Sequence, residues 1–509
     1  MREGHSEQPA TVYLVGAGPG DPGLITLRGV ECLGRADVVL HDYLVNPQIL
    51  RHVSPGAEIV CLGRHGVGRI LSQEEVNARL VDLARQGKTV VRLKGGDPAV
   101  FARGAEEVDV LVQHGIPFEI VPGITAALAA GSCAGIPVTH RDLASAVALV
   151  TGQEREGKDR SPLDAEALAR FPGTLVYYMG VTTAGCWASA LIAAGKPADT
   201  PAAIIRRCSF PDQLSIRCTL GEVAATLHQR HLRPPAIVIV GQVAALAEKL
   251  SWFDHRPLFG VRVLVARPID QAEGLAQPLA ELGADVVVQP AIEISPPSDW
   301  GPVDAALAEL SKFDWLVFSS SNGVRYLLDR VAAVGRDLRC LGGVKLATVG
   351  PGTAATLADY RLRADLIPDE FRAESLAAAL AGDAAGKRFL LARASRGREV
   401  LAEQLRAAGG EVEQVVVYQS SDVARADDDV ARRLAAGEID YAAVTSSAIA
   451  RSLASMFGAA LNKTRLVSIS PVTSETLRSL GLTVAVEAAQ YTMQGVVAAI
   501  RQAAAESIE

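Results

Sequence analysis

The chain has 509 residues, 49% of them hydrophobic and 21% charged, with a formal net charge of −7. That length predicts two or three domains with sizeable cores. The acidic balance argues against a basic nucleic-acid surface, and no apolar run approaches the roughly 18 residues of a membrane helix. The stretch from Met1 to Pro9 is polar and lacks the apolar core of a secretion signal. Seven scattered cysteines with no Cys-x-x-Cys pair predict reduced thiols in a cytoplasmic protein, with no metal centre.

The first predicted element is Thr11-Val-Tyr-Leu-Val-Gly-Ala-Gly-Pro-Gly-Asp-Pro22, an apolar strand opening into glycines. A second such turn is Arg92-Leu-Lys-Gly-Gly-Asp-Pro98. Both read as buried strands whose ends let backbone approach a ligand closely. Gly16, Gly18 and Gly20 bring the third glycine too early for a dinucleotide fingerprint, and only Asp42 offers a ribose-binding acid. Two more strand ends follow, at Ile120-Val-Pro-Gly-Ile-Thr-Ala-Ala127 and Leu175-Val-Tyr-Tyr-Met-Gly180. Thr125 is either a ligand hydroxyl or a helix N-cap, and Met179 either a soft apolar ligand surface or core packing. Taken together with the glycine turns, these loops predict strand ends converging on one ligand.

Pro234 to Gly241 reads as a last buried strand, Gln242 to Leu250 as a short closing helix, and Ser251 to Pro257 as the junction to a new strand at Val261. Beyond it the sequence repeats. Val263-Leu-Val-Ala-Arg-Pro268 matches Phe389-Leu-Leu-Ala-Arg-Ala394, and Phe313 to Ser320 matches Ile439 to Ser446. Ala347-Thr-Val-Gly-Pro-Gly-Thr353 matches Val467-Ser-Ile-Ser-Pro-Val-Thr473. Strands alternate with amphipathic helices, which predicts two similar α/β domains with parallel sheets covered on both faces and a ligand cleft between them.

Residues 10–254 resemble the tetrapyrrole methyltransferases, in particular uroporphyrinogen-III C-methyltransferase. The motifs that carry the likeness are Gly16-Ala-Gly-Pro-Gly-Asp, His41-Asp-Tyr-Leu-Val45, Arg92 to Pro98, Val121-Pro-Gly-Ile-Thr-Ala126, Pro137-Val-Thr-His-Arg141 and Tyr178-Met-Gly180. The resemblance implies a two-lobed fold, a homodimer through this region and S-adenosylmethionine as cofactor. It places cofactor contacts at Pro19, Gly95, Gly96, Asp97, Val100, Thr125, Ala126 and Met179, with Cys208 near the adenine where relatives often carry glycine. Asp42 falls at the family's proposed general base, which sheds the pyrrole proton after methylation; a helix cap is the other reading. Arg64 replaces a lysine proposed as proton donor, and a permanently charged guanidinium suits a carboxylate clamp better. Arg28, Arg103, His140 and Arg141 are candidate partners for substrate carboxylates or members of internal salt bridges.

Residues 255–509 resemble uroporphyrinogen-III synthase through the repeat motifs above, together with Ala-Glu-Ser-Leu376 and Val-Val-Tyr-Gln419. The likeness implies two flavodoxin-like α/β subdomains, at about 255–292 plus 420–509 and at 293–419. It also implies closure of hydroxymethylbilane with inversion of the last pyrrole ring. Tyr418 is the candidate for assisting water loss or an exposed hinge residue. Ser319, Ser320, Thr353, Ser446, Ser447 and Thr473 are candidate hydrogen-bond donors to acetate and propionate groups, or helix caps. The expected function is a bifunctional cytoplasmic enzyme making uroporphyrinogen III and methylating it at C2 and C7 to precorrin-2. The alternative is an active methyltransferase joined to a non-catalytic tetrapyrrole-binding region.

Overall fold

Short runs of Val, Leu and Ile separated by glycine turns build four five-stranded sheets among the described residues, in two units, Met1–Gly260 and Val261–Glu509. The computed structural model describes residues 10–63, 71–153 and 163–507.

In the first unit, β1 (Val12–Gly16), β2 (Val38–His41), β3 (Glu58–Cys61), β4 (Val90–Lys94) and β5 (Phe118–Val121) form a parallel sheet in the order β3-β2-β4-β1-β5. Alternation along each strand serves two faces. Val12, Leu14, Val38, Leu40 and Val90 pack with Leu80 of α2 (Gln73–Arg85) and Leu111 of α3 (Gly104–Gln113). Val15, Val39, Val91 and Leu93 pack on the opposite face with Cys32 and Leu33 of the helix Leu27–Leu33. Each fully buried leucine of this kind stabilises the fold by roughly 1.5–3 kcal/mol. On β4, Arg92 and Lys94 alternate in step with Val90, so two cations occupy a buried apolar face.

The second sheet holds β6 (Val147–Thr151), β7 (Thr174–Tyr178), β8 (Pro201–Arg206), β9 (Leu214–Thr219) and β10 (Ala236–Val240) in the order β6-β7-β10-β8-β9. Only β6 and β7 pair in parallel; the rest are antiparallel. The helix Ala126–Cys133 follows β5 of the first sheet but packs its alanines against Val176, Tyr178, Ile205 and Ile239 of the second. It therefore ties the two sheets together just where the Gly123–Thr125 loop ends. The junction read from Ser251 to Pro257 also packs onto this unit. Phe253 and Leu258 are buried, Trp252 Nε1 donates to Ser132 O at 2.8 Å, and Arg256 lies 3.7 Å over the Phe253 ring.

The second unit has one all-parallel sheet, from β11 (Arg262–Val265), β12 (Asp285–Val288), β18 (Tyr441–Val444), β19 (Arg465–Ser468) and β20 (Val484–Glu487), ordered β12-β11-β18-β19-β20. Its other sheet, from β13 (Ile292–Ser295), β14 (Trp315–Phe318), β15 (Lys345–Thr348), β16 (Arg388–Ala394) and β17 (Glu411–Asp422), runs β13-β17-β16-β14-β15. Here β13 pairs antiparallel with β17, so this sheet is mixed rather than parallel throughout. β13 and β17 are also the strands by which the chain passes from one sheet to the other and back. The sequence repeat becomes spatial: β11-β18-β19 and β16-β14-β15 are equivalent triplets of adjacent parallel strands.

Candidate functional site

In the first unit the two glycine turns meet. Gly18 N donates to Gly96 O at 3.2 Å and Gly96 N to Gly18 O at 2.8 Å, a reciprocal pair closing the ends of β1 and β4. A third loop is pressed into them: a Cβ on Gly123 would lie 2.2 Å from Gly96 O, and one on Gly16 would lie 2.6 Å from Gly123 Cα. Gly96 itself has φ +72°, and a Cβ there would make only ordinary contacts, 3.8 Å from Ala126 N and 3.9 Å from Thr125 Cα, so a side chain meets backbone strain rather than a collision. Asp97 pins the arrangement, with Oδ1 accepting from Ala99 N at 2.7 Å and Oδ2 from Gly123 N at 2.9 Å.

Two more loops join from the second sheet. Thr125 stands at the N-cap position of the helix Ala126–Cys133, but its hydroxyl makes no cap; it pairs with Tyr178 Oη at 2.6 Å, which also accepts from Ala127 N at 2.8 Å. Cys208 is buried beside Ala126, and burial pushes its thiol up to about 12, so it stays protonated and unreactive. Met179 is exposed rather than packed in the core. Pro19, Gly95 and Val100 are half-buried along the same turns. Seven non-glycine residues have positive φ among the described residues, and five of them, Phe101, Arg103, Met179, Arg207 and Ser209, belong to these loops. Strained backbone of this kind gathers where a ligand must be met in one geometry.

Asp42 directly follows β2, with its side chain 31% exposed. Its Oδ1 accepts from Arg92 Nη2 at 2.5 Å, and Oδ2 has no hydrogen-bond partner among the described residues. Behind it, Glu107 Oε1 takes Arg92 Nε at 3.1 Å, Lys94 Nζ at 2.7 Å and Gln73 Nε2 at 3.2 Å, while the buried Oε2 has no partner among the described residues. Burial lowers the pKa of Lys94, with the neighbouring Arg92 adding to the effect. The candidate substrate cations divide. Arg28 is committed to Glu119 and Glu31, and Arg103 to Glu106, so the internal salt-bridge reading describes both. His140 Nδ1 accepts from Asp142 N at 3.1 Å, and Arg141 is exposed. Arg64 lies outside the described residues.

In the second unit Tyr418 is buried, not an exposed hinge, and its hydroxyl sits 3.0 Å from Ser320 Oγ. Its ring stacks on Tyr326 with centroids 5.8 Å apart, and burial raises its pKa, keeping the phenol neutral. Ser320 and Ser446 cap equivalent helices, accepting from Gly323 N and Ile449 N. Ser319 is exposed at the same turn, and Ser447 Oγ accepts from Thr476 Oγ1 at 2.8 Å. Thr353 and Thr473 are buried in the first turns of the helices Pro351–Asp359 and Pro471–Ser479, neither of which has a side-chain cap. Those first-turn N–H groups remain available to an anion, and Thr473 Oγ1 lies 3.3 Å from Ser470 Oγ.

Five residues had no role in the sequence reading. Tyr178, which holds Thr125, is one. Arg92, Lys94 and Glu107 form the charge cluster behind Asp42, and two cations on one face of an otherwise apolar strand were the signal. Arg267 is the fifth. Its repeat equivalent Arg393 pairs with Glu399, but Arg267 reaches only Gln271, at 3.3 Å, and Gln271 in turn holds Asn322 at 2.8 Å. Burial and the nearby Arg325 lower the pKa of Arg267, marking a desolvated cation with no carboxylate partner among the described residues.

Residues 11–224 match the family of Tetrapyrrole (Corrin/Porphyrin) Methylases, and residues 273–498 match Uroporphyrinogen-III synthase HemD. The chain is 36% identical over 473 residues to the Porphyrin biosynthesis protein HemD of Ruminiclostridium josui, covering 92% of this chain and 94% of that protein. It is 39% identical over 331 residues to the Uroporphyrinogen-III C-methyltransferase of Bacillus subtilis, with 65% and 68% covered. The Siroheme synthase of Zymomonas mobilis is 47% identical over 245 residues, and this chain spans about half (51%) of that protein's length. Among solved structures, the uroporphyrin-III C-methyl transferase from Thermus thermophilus complexed with S-adenyl homocysteine is 42% identical. That alignment covers 47% of this chain and 100% of the other, with a TM-score of 0.41.

Proposed function

Because this chain belongs to the tetrapyrrole methylases in its N-terminal half and to the uroporphyrinogen-III synthases in its C-terminal half, we propose that it is a bifunctional enzyme of tetrapyrrole biosynthesis. The C-terminal unit closes hydroxymethylbilane to uroporphyrinogen III with inversion of the last ring. The N-terminal unit then methylates that product at C2 and C7 to give precorrin-2. One unit's product is the other's substrate, which gives the fusion a chemical rationale. The reading extends to a cytoplasmic homodimer assembled through the N-terminal unit, with working boundaries at 10–254 and 255–509. Among the described residues, no helix is long and apolar enough to cross a membrane.

The observation that carries the methyltransferase half is the reciprocal Gly18–Gly96 pair with Gly123 pressed against it. That cradle is closed to any Cβ at Gly16 or Gly123 and open beside Gly96. It fits a cofactor held by backbone groups and by the carboxylate of Asp97, with Met179 supplying apolar surface. When bound, S-adenosylmethionine supplies an electrophilic methyl group. Asp42, held at Oδ1 by Arg92, takes the displaced pyrrole proton at Oδ2. In the synthase half, Tyr418 as a neutral phenol donates to the departing hydroxyl, and the uncapped helix starts at Gly352 and Val472 receive side-chain carboxylates.

The burial of Tyr418 also favours a second reading, a non-catalytic tetrapyrrole-binding C-terminal unit. One experiment tests both: hydroxymethylbilane and isotope-labelled S-adenosylmethionine are given to the pure protein and the products are identified by mass. Labelled precorrin-2 is the expected product. Methylation of supplied uroporphyrinogen III without ring closure would leave the second reading standing, and no methylation of either substrate would sink the proposal.

A further inference from the structure

Asp42 is held by a guanidinium at 2.5 Å. Arg92 is not acting alone, however. It is 4% exposed and shared: Nη2 goes to Asp42, Nε to Glu107, and Nη1 to the carbonyls of Leu40 and Leu93. Glu107, wholly buried, is in turn answered by Lys94, 2% exposed. The charges alternate from the strand end inward as Asp42, Arg92, Glu107, Lys94, and they sum to zero. The groups facing Asp42 are Arg92 and Lys94 from β4 and Tyr43 beside it; Glu107 from α3 and Gln73 from α2 stand behind Arg92. A buried ion pair missing one member is strongly destabilising, so all four must be present together.

Resting on the methyltransferase reading, we propose that Arg92, fixed in place by the buried Glu107–Lys94 pair, is the positioning residue that fixes Asp42 Oδ1 and turns Oδ2 toward the tetrapyrrole as the proton acceptor. Arg92 touches no substrate. It acts through Asp42, by holding one oxygen of that carboxylate so that the other is aimed. The site thus places its base on the same strand-end platform as the cofactor cradle, because Gly95 directly follows Lys94. Methyl donor and proton acceptor are set by one strand, β4.

The test measures methylation of uroporphyrinogen III by the full chain, together with calorimetric affinity for S-adenosylhomocysteine. In Arg92→Gln, kcat should fall about 10²-fold, the cost expected of a misplaced catalytic group. KM for uroporphyrinogen III should stay near the parent value, because Arg92 touches no substrate. Arg92→Lys should restore most of the rate, and S-adenosylhomocysteine affinity should stay at the parent value in both. Should Arg92→Gln fail to fold, Glu107→Gln keeps the volume and should lower kcat about tenfold at unchanged affinity. Parent kcat in Arg92→Gln, a loss carried by KM instead of kcat, parent rate in Glu107→Gln, or no rescue by lysine would overturn the inference alone. A parent enzyme unable to methylate uroporphyrinogen III would overturn the activity and the inference with it.

Discussion

The two units are each built from two five-stranded sheets, yet they prepare their sites by opposite means. The first concentrates cost at the strand ends: five left-handed non-glycine residues, glycines with no room for a Cβ, and three buried charges behind one carboxylate. Among its described residues the second has a single left-handed non-glycine residue, Arg361, and it relies on paired helix starts, Ser320 with Ser446 and Gly350 with Ser470. A transfer between two bound molecules demands one exact geometry, and strain with buried charge supplies it. The ring closure proposed for the second unit calls for many carboxylates to be held and the shape controlled, a task that duplicated N–H clusters suit with little strain.

If that contrast is right, single-atom changes should hurt the first unit more than the second. The largest effect is expected for Asp42→Asn, which removes the base without removing volume. Methyl transfer should fall by about 10²- to 10⁴-fold while S-adenosylhomocysteine still binds, as steady-state kinetics and calorimetry would show. Transfer at the parent rate would make Asp42 structural and erase the contrast. Next comes Tyr418→Phe. It should slow ring closure about 10²-fold and let uroporphyrinogen I accumulate, with methylation of supplied uroporphyrinogen III untouched. Chromatography of the isomers decides it; an unchanged ratio would shift the synthase entirely onto its helix starts.

A smaller effect is expected for Arg267→Gln. Losing one charge-assisted contact to a carboxylate costs about 1.5–3 kcal/mol, so KM for hydroxymethylbilane should rise at least tenfold with kcat little changed. Its repeat equivalent, Arg393→Gln, should leave KM alone and lower stability instead, because that guanidinium is already spent on Glu399. The smallest is Tyr178→Phe. Thr125 Oγ1 and Ala127 N would lose their shared partner, costing about 1 kcal/mol of stability and a few-fold in cofactor affinity. Equal thermal midpoints for Tyr178→Phe and the parent would show that the Thr125 turn is held by backbone alone.

Much of the fold was legible because it lay in period and punctuation. Apolar runs ending in Gly-x-Gly or Pro-Gly marked the strand ends of β1, β4 and β5, and the repeat in the second half emerged as matching strand triplets. The antiparallel β13 was not legible, since Ile292–Ser295 carries no sign of which direction its neighbour runs. Within the site, the glycines and Asp42 were visible as motif residues. Arg92 and Lys94 stood in such a motif without a role and Glu107 stood in none, because their meaning depends on α3 bringing a carboxylate under β4, a contact with no local signature. Tyr178 was missed for a related reason: it sits beside the conspicuous Met179, and its role depends on a hydroxyl meeting Thr125 from another sheet. Arg28 and Arg103 show another limit: the sequence offered both readings for them, and their exposed ion pairs with Glu119, Glu31 and Glu106 depend on neighbours that residue type alone does not name.

The interleaving of the second unit's sheets has a consequence for how the chain is made. β11 must pair with β18, with Val263 opposite Tyr441, and everything from β13 to β17 is synthesised in between. On the ribosome, the inner sheet can therefore close completely while β11 and β12 still lack their central neighbour. The outer sheet carries the long-range pairing and should complete last, since loop closure across so many residues is slow. A stall or truncation before Tyr441 would leave an intact inner domain trailing an unfinished parallel edge, the form most exposed to association with other chains.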